Sequence, residues 1–132
     1  MNCTFCRIIR REESALIVYE DDEVIAFLDK HPQTRGHLQL VPKIHVRWLY
    51  ELADIGTFFV TAKKIIRVII PALGADHVTM ATFGYQVAHA HLWLVPQYET
   101  VTEISEDAGD KSGIQGEVAE LLKSVLNPKF RD

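Results

Sequence analysis

The sequence predicts an α+β fold: about five short strands in a mostly antiparallel sheet, one long helix, and shorter helices near the two ends. Two observations carry this. Runs of strand character are joined by connections too short for parallel crossovers. Between residues 54 and 73 the apolar period switches from alternation to helical spacing.

Taken in order, residues 3–13 read as a short helical segment with Phe5, Ile8 and Ile9 on one side. Ala15–Glu20 and Glu23–Leu28 are strand candidates separated only by Asp21-Asp22, which predicts a tight hairpin. Lys30–Gly36, with Pro32 and Gly36, is a loop, and His37–Pro42 is a third strand. Ile55, Phe58, Phe59, Ala62, Ile65, Ile66 and Ile69 recur on one wide helical face over Asp54–Leu73. Asp54 can cap its start, while Pro71 and Gly74 mark its end. Two more strands follow at His77–Thr82 and Val87–Val95, around a turn at Gly84. Thr100–Gly113 is acidic and polar, a surface loop, before a helix at Ile114–Leu126 with Val118, Leu121, Leu122 and Val125 on one side.

The 132 residues are expected to form one domain, with its core over about 3–98 and a polar loop plus helix over 99–132. An apolar fraction of 48% excludes general disorder. A formal charge of −4 argues against a broad grip on nucleic acid, though not against a small anionic ligand. No stretch of 18 apolar residues is free of charge, so a membrane span is not expected. No signal peptide is visible at the start, which points to the cytoplasm.

Two patterns carry chemistry. The only cysteines, Cys3 and Cys6, form a Cys-x-x-Cys pair. In a reducing compartment such a pair is more often metal-binding or redox-active than a disulfide, and two cysteines make half of a tetrahedral zinc site. The second pattern is Val87-Ala88-His89-Ala90-His91-Leu92-Trp93-Leu94-Val95-Pro96. In a strand, Ala88, Ala90, Leu92 and Leu94 would share an apolar face and Val87, His89, His91 and Trp93 the other. Two adjacent imidazoles can bind a metal, supply a nucleophile toward phosphorus, or simply stand on a solvated face.

The order of four motifs resembles the histidine-triad (HIT) family. They are Cys3-Thr-Phe-Cys6-Arg-Ile-Ile, Tyr19-Glu-Asp-Asp-Glu-Val-Ile-Ala-Phe-Leu-Asp29, Gly36-His37-Leu-Gln-Leu-Val-Pro42-Lys-Ile-His45, and the segment His89–Pro96, which follows the family's His-φ-His-φ-His-φ-φ pattern. The resemblance implies a HIT-like fold and a homodimer joined through the long helix and a sheet edge. It also implies a purine nucleotide or nucleotide conjugate as ligand. His91 takes the position of the nucleophile that attacks the α-phosphorus and forms a nucleotidyl-histidine, with His89 and His37 completing the catalytic set. Asp29 takes the place of the ribose acceptor. Phe27, Leu28, Tyr85, Gln86 and Trp93 fall where nucleotide contacts are made. The resemblance to bacterial-type members implies a structural zinc held by Cys3, Cys6, His45 and His89, the alternative being two free thiols and two surface imidazoles. His31 and His77 match no such role and are expected at the surface.

Three departures stand out. Trp93 occupies the third triad position, and indole can donate one hydrogen bond but cannot accept or relay a proton. The usual Gly-Gln-Ser/Thr becomes Gly84-Tyr85-Gln86, and the stretch Thr79–Gly84 is shorter than usual and lacks its asparagine. The sequence therefore leaves open a hydrolase or nucleotidyl transferase, a catalytically weak nucleotide-binding or interaction protein, and a metallohydrolase using His89 and His91.

Overall fold

The computed structural model describes residues 3–99 and 111–126, with side chains of the last helix from Ile114 on. Residues 100–110 of the acidic segment lie outside the described residues. Five strands, β1 (Ile17–Glu20), β2 (Val24–Leu28), β3 (Leu38–Pro42), β4 (His77–Ala81) and β5 (Leu92–Gln97), form one antiparallel sheet in the order β1-β2-β3-β5-β4. Three helices accompany it: α1 (Thr4–Ile9), α2 (Ile55–Leu73) and α3 (Lys111–Leu126). A 3₁₀ turn at Leu49–Glu51, which sequence patterning does not signal, leads into α2.

Alternation within the strands divides the core in two. Ala26, Leu28, Leu38, Leu40, Leu92 and Leu94 face α2, meeting Phe58, Ala62, Ile65, Ile69 and Leu73. Val118, Ala119, Leu122 and Leu126 of α3 join this same core. Ile25, Phe27 and Val41 face the other way, under Cys3, Phe5 and Ile8 of the N-terminal segment. With both faces covered, β2 and β3 are buried at every position, which explains why β2 is a continuous apolar run rather than an alternating one.

Helix α2 begins where Asp54 accepts a hydrogen bond from Thr57 N–H at 3.2 Å. It ends at Gly74, whose φ of 70° is the left-handed conformation that closes a helix most easily in glycine. Pro71 lies inside the last turn and does not end the helix. Helix α1 is shorter than the expected 3–13, because the chain turns at Arg11 with φ 64°. Among the described residues no helix is long and apolar enough to cross a membrane.

The largest correction concerns the last strand. Its expected span is Val87–Val95, but β5 starts only at Leu92 and runs through Pro96 to Gln97. Pairing with β3 covers Leu40↔Leu92 to Leu38↔Leu94. Upstream of Leu92 the chain leaves the ladder: Ala90 N–H donates to the Val46 carbonyl at 2.7 Å, and the His91 carbonyl accepts from Thr82 Oγ1 at 2.5 Å. Pro96 is tolerated within the strand because β3 has already ended beside it. On that side its carbonyl accepts from the Thr34 hydroxyl at 2.6 Å, so no ladder N–H is missed.

Candidate functional site

Cys3 is the N-cap of α1, its sulfur 3.4 Å from Cys6 N–H, and Cys6 lies one turn further on the same side. His45 follows β3 and His89 precedes β5, so three distant pieces of chain meet below α1. The ligand atoms of Cys3, Cys6, His45 and His89 all lie within 4.8 Å of one another. Cys3 Sγ and Cys6 Sγ are each 3.5 Å from His89 Nδ1, Cys6 Sγ is 3.3 Å from His45 Nδ1, and the two Nδ1 atoms are 3.0 Å apart. Tetrahedral zinc with bonds of about 2.0–2.3 Å needs donor separations of about 3.3–3.8 Å. The donor set fits such an ion in type and number, and the sulfur–nitrogen separations fit it in spacing, while the two Nδ1 atoms stand somewhat closer than a bound ion would hold them.

Tautomers agree with this. His89 Nε2–H donates to the Pro42 carbonyl at 2.8 Å, which leaves Nδ1 with its lone pair toward the cluster. Burial holds the His89 pKa below the ordinary histidine value, against the opposing pull of that carbonyl, so the ring is neutral as a ligand must be. Burial and the Cys3 thiol raise the Cys6 pKa, an effect that a cation in the cluster reverses.

His91 stands beside this cluster and not in it. Its Nδ1 is 2.8 Å from the His89 carbonyl, so Nδ1–H donates and Nε2 is left unprotonated. The ring is 4% exposed and packs against the edge of Phe5 at 5.5 Å between centroids. Burial lowers its pKa below the ordinary value, opposed by the His89 carbonyl and more weakly by Asp29. The residue that offers its side chain to the cysteines thus also sets, through its backbone, which nitrogen of His91 is free. The strand reading places both imidazoles together on the strand face opposite the apolar one. Instead they are buried in an irregular segment, because Phe5 roofs them over, with ring centroids 5.9 Å from His89 and 5.5 Å from His91.

A second group continues along the same sheet face. Phe27, Gln39 and Trp93 form a row across β2, β3 and β5, since Phe27 pairs with Gln39 and Gln39 with Trp93. Asp29 lies at the end of β2; its Oδ1 accepts from His31 N–H at 2.8 Å and its Oδ2 from Gln39 Nε2 at 2.9 Å. His37 is fully buried, and its Nδ1 accepts from Gln33 N–H at 3.1 Å, which places its proton on Nε2. That Nε2 lies 3.7 Å from Asp29 Oδ2. His37 Nε2 and Gln39 Oε1 are both buried without a hydrogen-bond partner among the described residues. Burial lowers the His37 pKa, with Asp29 pulling the other way. Trp93, half-buried, sits edge-on between His37 at 4.7 Å and Phe83 at 4.9 Å.

The remaining expected residues are placed differently. Phe27 is on the site face, edge-on to Phe5 at 5.4 Å. Leu28 points the opposite way, into the core against α2, because alternation puts it opposite Phe27 and beside Leu38; its side chain lines no part of this face. Tyr85 is 72% exposed and Gln86 is exposed, on the loop before His89. Arg47 Nε holds that loop through the Gly84 carbonyl at 3.1 Å. Gly84 packs so tightly that an added Cβ would meet the Trp48 ring at 2.2 Å. His31 and His77 are exposed, His77 beside Asp76. Sequence reasoning misses Phe5 as the roof, Phe83 as Trp93's neighbour, Arg47 as the loop anchor, and Gln39. Only Gln39 leaves a signal, being the one polar side chain inside an otherwise apolar strand. Gln115 of α3, also missed, donates to the Asp29 carbonyl at 2.8 Å and braces that loop.

Comparison with known proteins follows the same lines. The HIT domain matches residues 10–100. An uncharacterized HIT-like protein of Methanocaldococcus jannaschii is 34% identical, over 93% of this chain and 98% of its own length. The adenylylsulfatase HINT3 of Arabidopsis thaliana is 32% identical, over 74% of this chain and 53% of its own. A zinc-bound histidine triad family protein from Mycobacterium smegmatis superposes with a TM-score of 0.81 at 26% identity, covering 99% of this chain and 97% of that one. The sheet order, the buried His89 and His91, the Cys₂His₂ cluster and these matches agree, and the chain belongs to the HIT family.

Proposed function

We propose that this protein is a nucleotide-binding hydrolase or nucleotidyl transferase that acts at the α-phosphate of a purine nucleotide conjugate through a nucleotidyl-His91 intermediate. The observation that carries this is the His91 ring. It is buried and kept neutral, with Nδ1–H tied to the His89 carbonyl and Nε2 free to attack phosphorus. The same carbonyl stabilises positive charge on the ring as the bond to phosphorus forms. His37, protonated at Nε2, and the indole N–H of Trp93 are the donors available to phosphate oxygens nearby. Asp29 is the acceptor for a ribose diol, held in place by Gln39 and the His31 backbone. An adenylylsulfatase among the relatives supports chemistry of this kind.

Zinc in the Cys3, Cys6, His45, His89 set would have no open coordination position and so would supply rigidity. It would pin α1, and therefore Phe5, over His91. Cysteines set to hold a metal rather than a disulfide suit a cytoplasmic setting. A homodimer through α2 and the β4 edge is supported by Phe59, Val60 and Met80, which are exposed on those two elements.

Trp93 favours a second reading, a nucleotide-binding protein with little turnover, since no proton relay stands at the third triad position. Nucleoside monophosphate release from a large excess of adenosine or guanosine conjugates separates the two. More than one release per chain, with a 2′,3′-dideoxy conjugate at least about 10-fold poorer, is the result expected if Asp29 reads the ribose. Saturable nucleotide binding with no release leaves the binding protein.

A further inference from the structure

Trp93 and His37 differ from ordinary acid–base groups in a way that bears on which bond can be broken. Trp93 follows His91 by two residues, so their Cα atoms lie within roughly 7 Å of each other. Its ring is fixed edge-on between His37 and Phe83. Indole N–H donates a hydrogen bond but does not give up its proton near neutral pH. His37 is no substitute. Its Nδ1 already accepts the Gln33 backbone N–H at 3.1 Å, and that donor cannot turn into an acceptor. A second proton on the ring would place two N–H groups against each other inside a fully buried site. His37 is therefore locked as the neutral Nε2–H form, a donor and not an acid. Tyr85 is 72% exposed on the loop, beside the Phe83 ring, and its phenol makes no hydrogen bond to the described residues that would fix it at a leaving group. His91 is occupied as nucleophile, and neither Trp93, His37 nor Tyr85 is set to hand a proton to a departing atom.

We propose that this arrangement confines the protein to nucleotidyl anhydrides and activated esters, in which the group leaving the α-phosphorus departs as a stable anion such as sulfate, carboxylate, polyphosphate or an acidic phenolate. The inference rests on the reading of His91 as nucleophile and narrows it. In the first step the Nε2 lone pair of His91 bonds to phosphorus while the bond from phosphorus to the leaving oxygen breaks, and that oxygen keeps the electron pair. In the second, a water oxygen bonds to phosphorus, the P–N bond breaks and returns its pair to Nε2, and the water proton passes to solvent. Neither step draws a proton from the protein. Phosphoramidates and alkyl esters, whose amine or alkoxide must be protonated as it leaves, are poor substrates for such a site.

The test is a series of adenosine 5′-phosphate aryl esters with 4-nitrophenol, 4-chlorophenol and phenol as leaving groups, together with adenylyl sulfate and adenosine 5′-phosphoramidate. The wild-type kcat/KM should fall at least about 10²-fold from the 4-nitrophenyl to the phenyl ester, the scale of missing general-acid help. Adenylyl sulfate should be turned over and the phosphoramidate should lag far behind. Trp93→His should narrow the spread between esters by about 10²-fold, while Trp93→Phe, which keeps the packing, should leave it steep. Similar wild-type rates across the series would overturn the proposal while leaving His91 chemistry standing. No release from any member would overturn the functional reading itself. If Trp93→His does not fold, the wild-type slope and Trp93→Phe still decide.

Discussion

His91→Ala is expected to lower nucleoside monophosphate release by at least about 10³-fold, the scale seen when a nucleophile acting in concert with its neighbours is removed. The size follows from geometry. His91 is the one imidazole on this face whose free nitrogen is neither aimed at the cysteine cluster nor carrying the fixed proton of His37. Removing the ring also leaves a gap beside Phe5, costing about 1–2 kcal/mol of stability. For that reason the variant should be compared with His91→Asn, whose amide can still donate toward the His89 carbonyl. Both should bind a nucleoside monophosphate within about 3-fold of wild type if the ring serves mainly the transition state. A His91→Ala protein that folds and retains more than a tenth of the activity would exclude this histidine as nucleophile.

The second large effect concerns the metal. Cys3→Ser is the informative change, because serine can still accept the Cys6 N–H and cap α1 while losing the thiolate. Purified wild-type protein is expected to carry one zinc per chain and the variant none. Structural zinc contributes apparent binding free energies of about 10 kcal/mol or more in small domains. Here Phe5 and Ile8 also pack on Ile25, Phe27 and Val41 of the sheet, an apolar attachment independent of the ligands, so a smaller loss of about 3 kcal/mol is expected, or roughly 12 °C in melting temperature for a chain of this size. A strong chelator should reproduce the shift in wild type and leave Cys3→Ser unmoved. Activity should fall with the metal, since His89 is shared: its side chain belongs to the cluster and its carbonyl fixes His91. Wild-type protein that holds no zinc, or melts alike with and without chelator, would contradict the proposed metal.

Much of the fold is legible in the order of the amino acids, and the reasons are physical. The long helix announces itself through period and caps, with Asp54 and Gly74 at its ends. The five strands follow from short apolar runs between turn residues. What local pattern cannot supply is the behaviour of residues 87–91. Alternation alone continues a strand through them, and only the distant Val46 carbonyl and Thr82 hydroxyl decide that the chain leaves the ladder there. The same holds for Phe5, which covers His89 and His91 from 84 and 86 residues away. Gln39 and Trp93 are each visible as an oddity, but their direct pairing across β3 and β5 is a property of register. His37 shows the limit most clearly. Its residue type suggests acid–base work, and a single backbone N–H from Gln33 removes it from that role.

The proposed chemistry turns on one nitrogen atom, and the most direct measurement is to locate the nucleotide on it. Wild-type protein mixed with adenylyl sulfate, quenched in alkali within the first turnover and digested, should give a peptide containing His91 that carries one adenylyl group. Nitrogen-15 correlation spectra of the trapped protein should place that group on Nε2, since Nδ1 is engaged with the His89 carbonyl. Monophosphate release without any adduct, or an adduct on another side chain, would contradict the role assigned to His91.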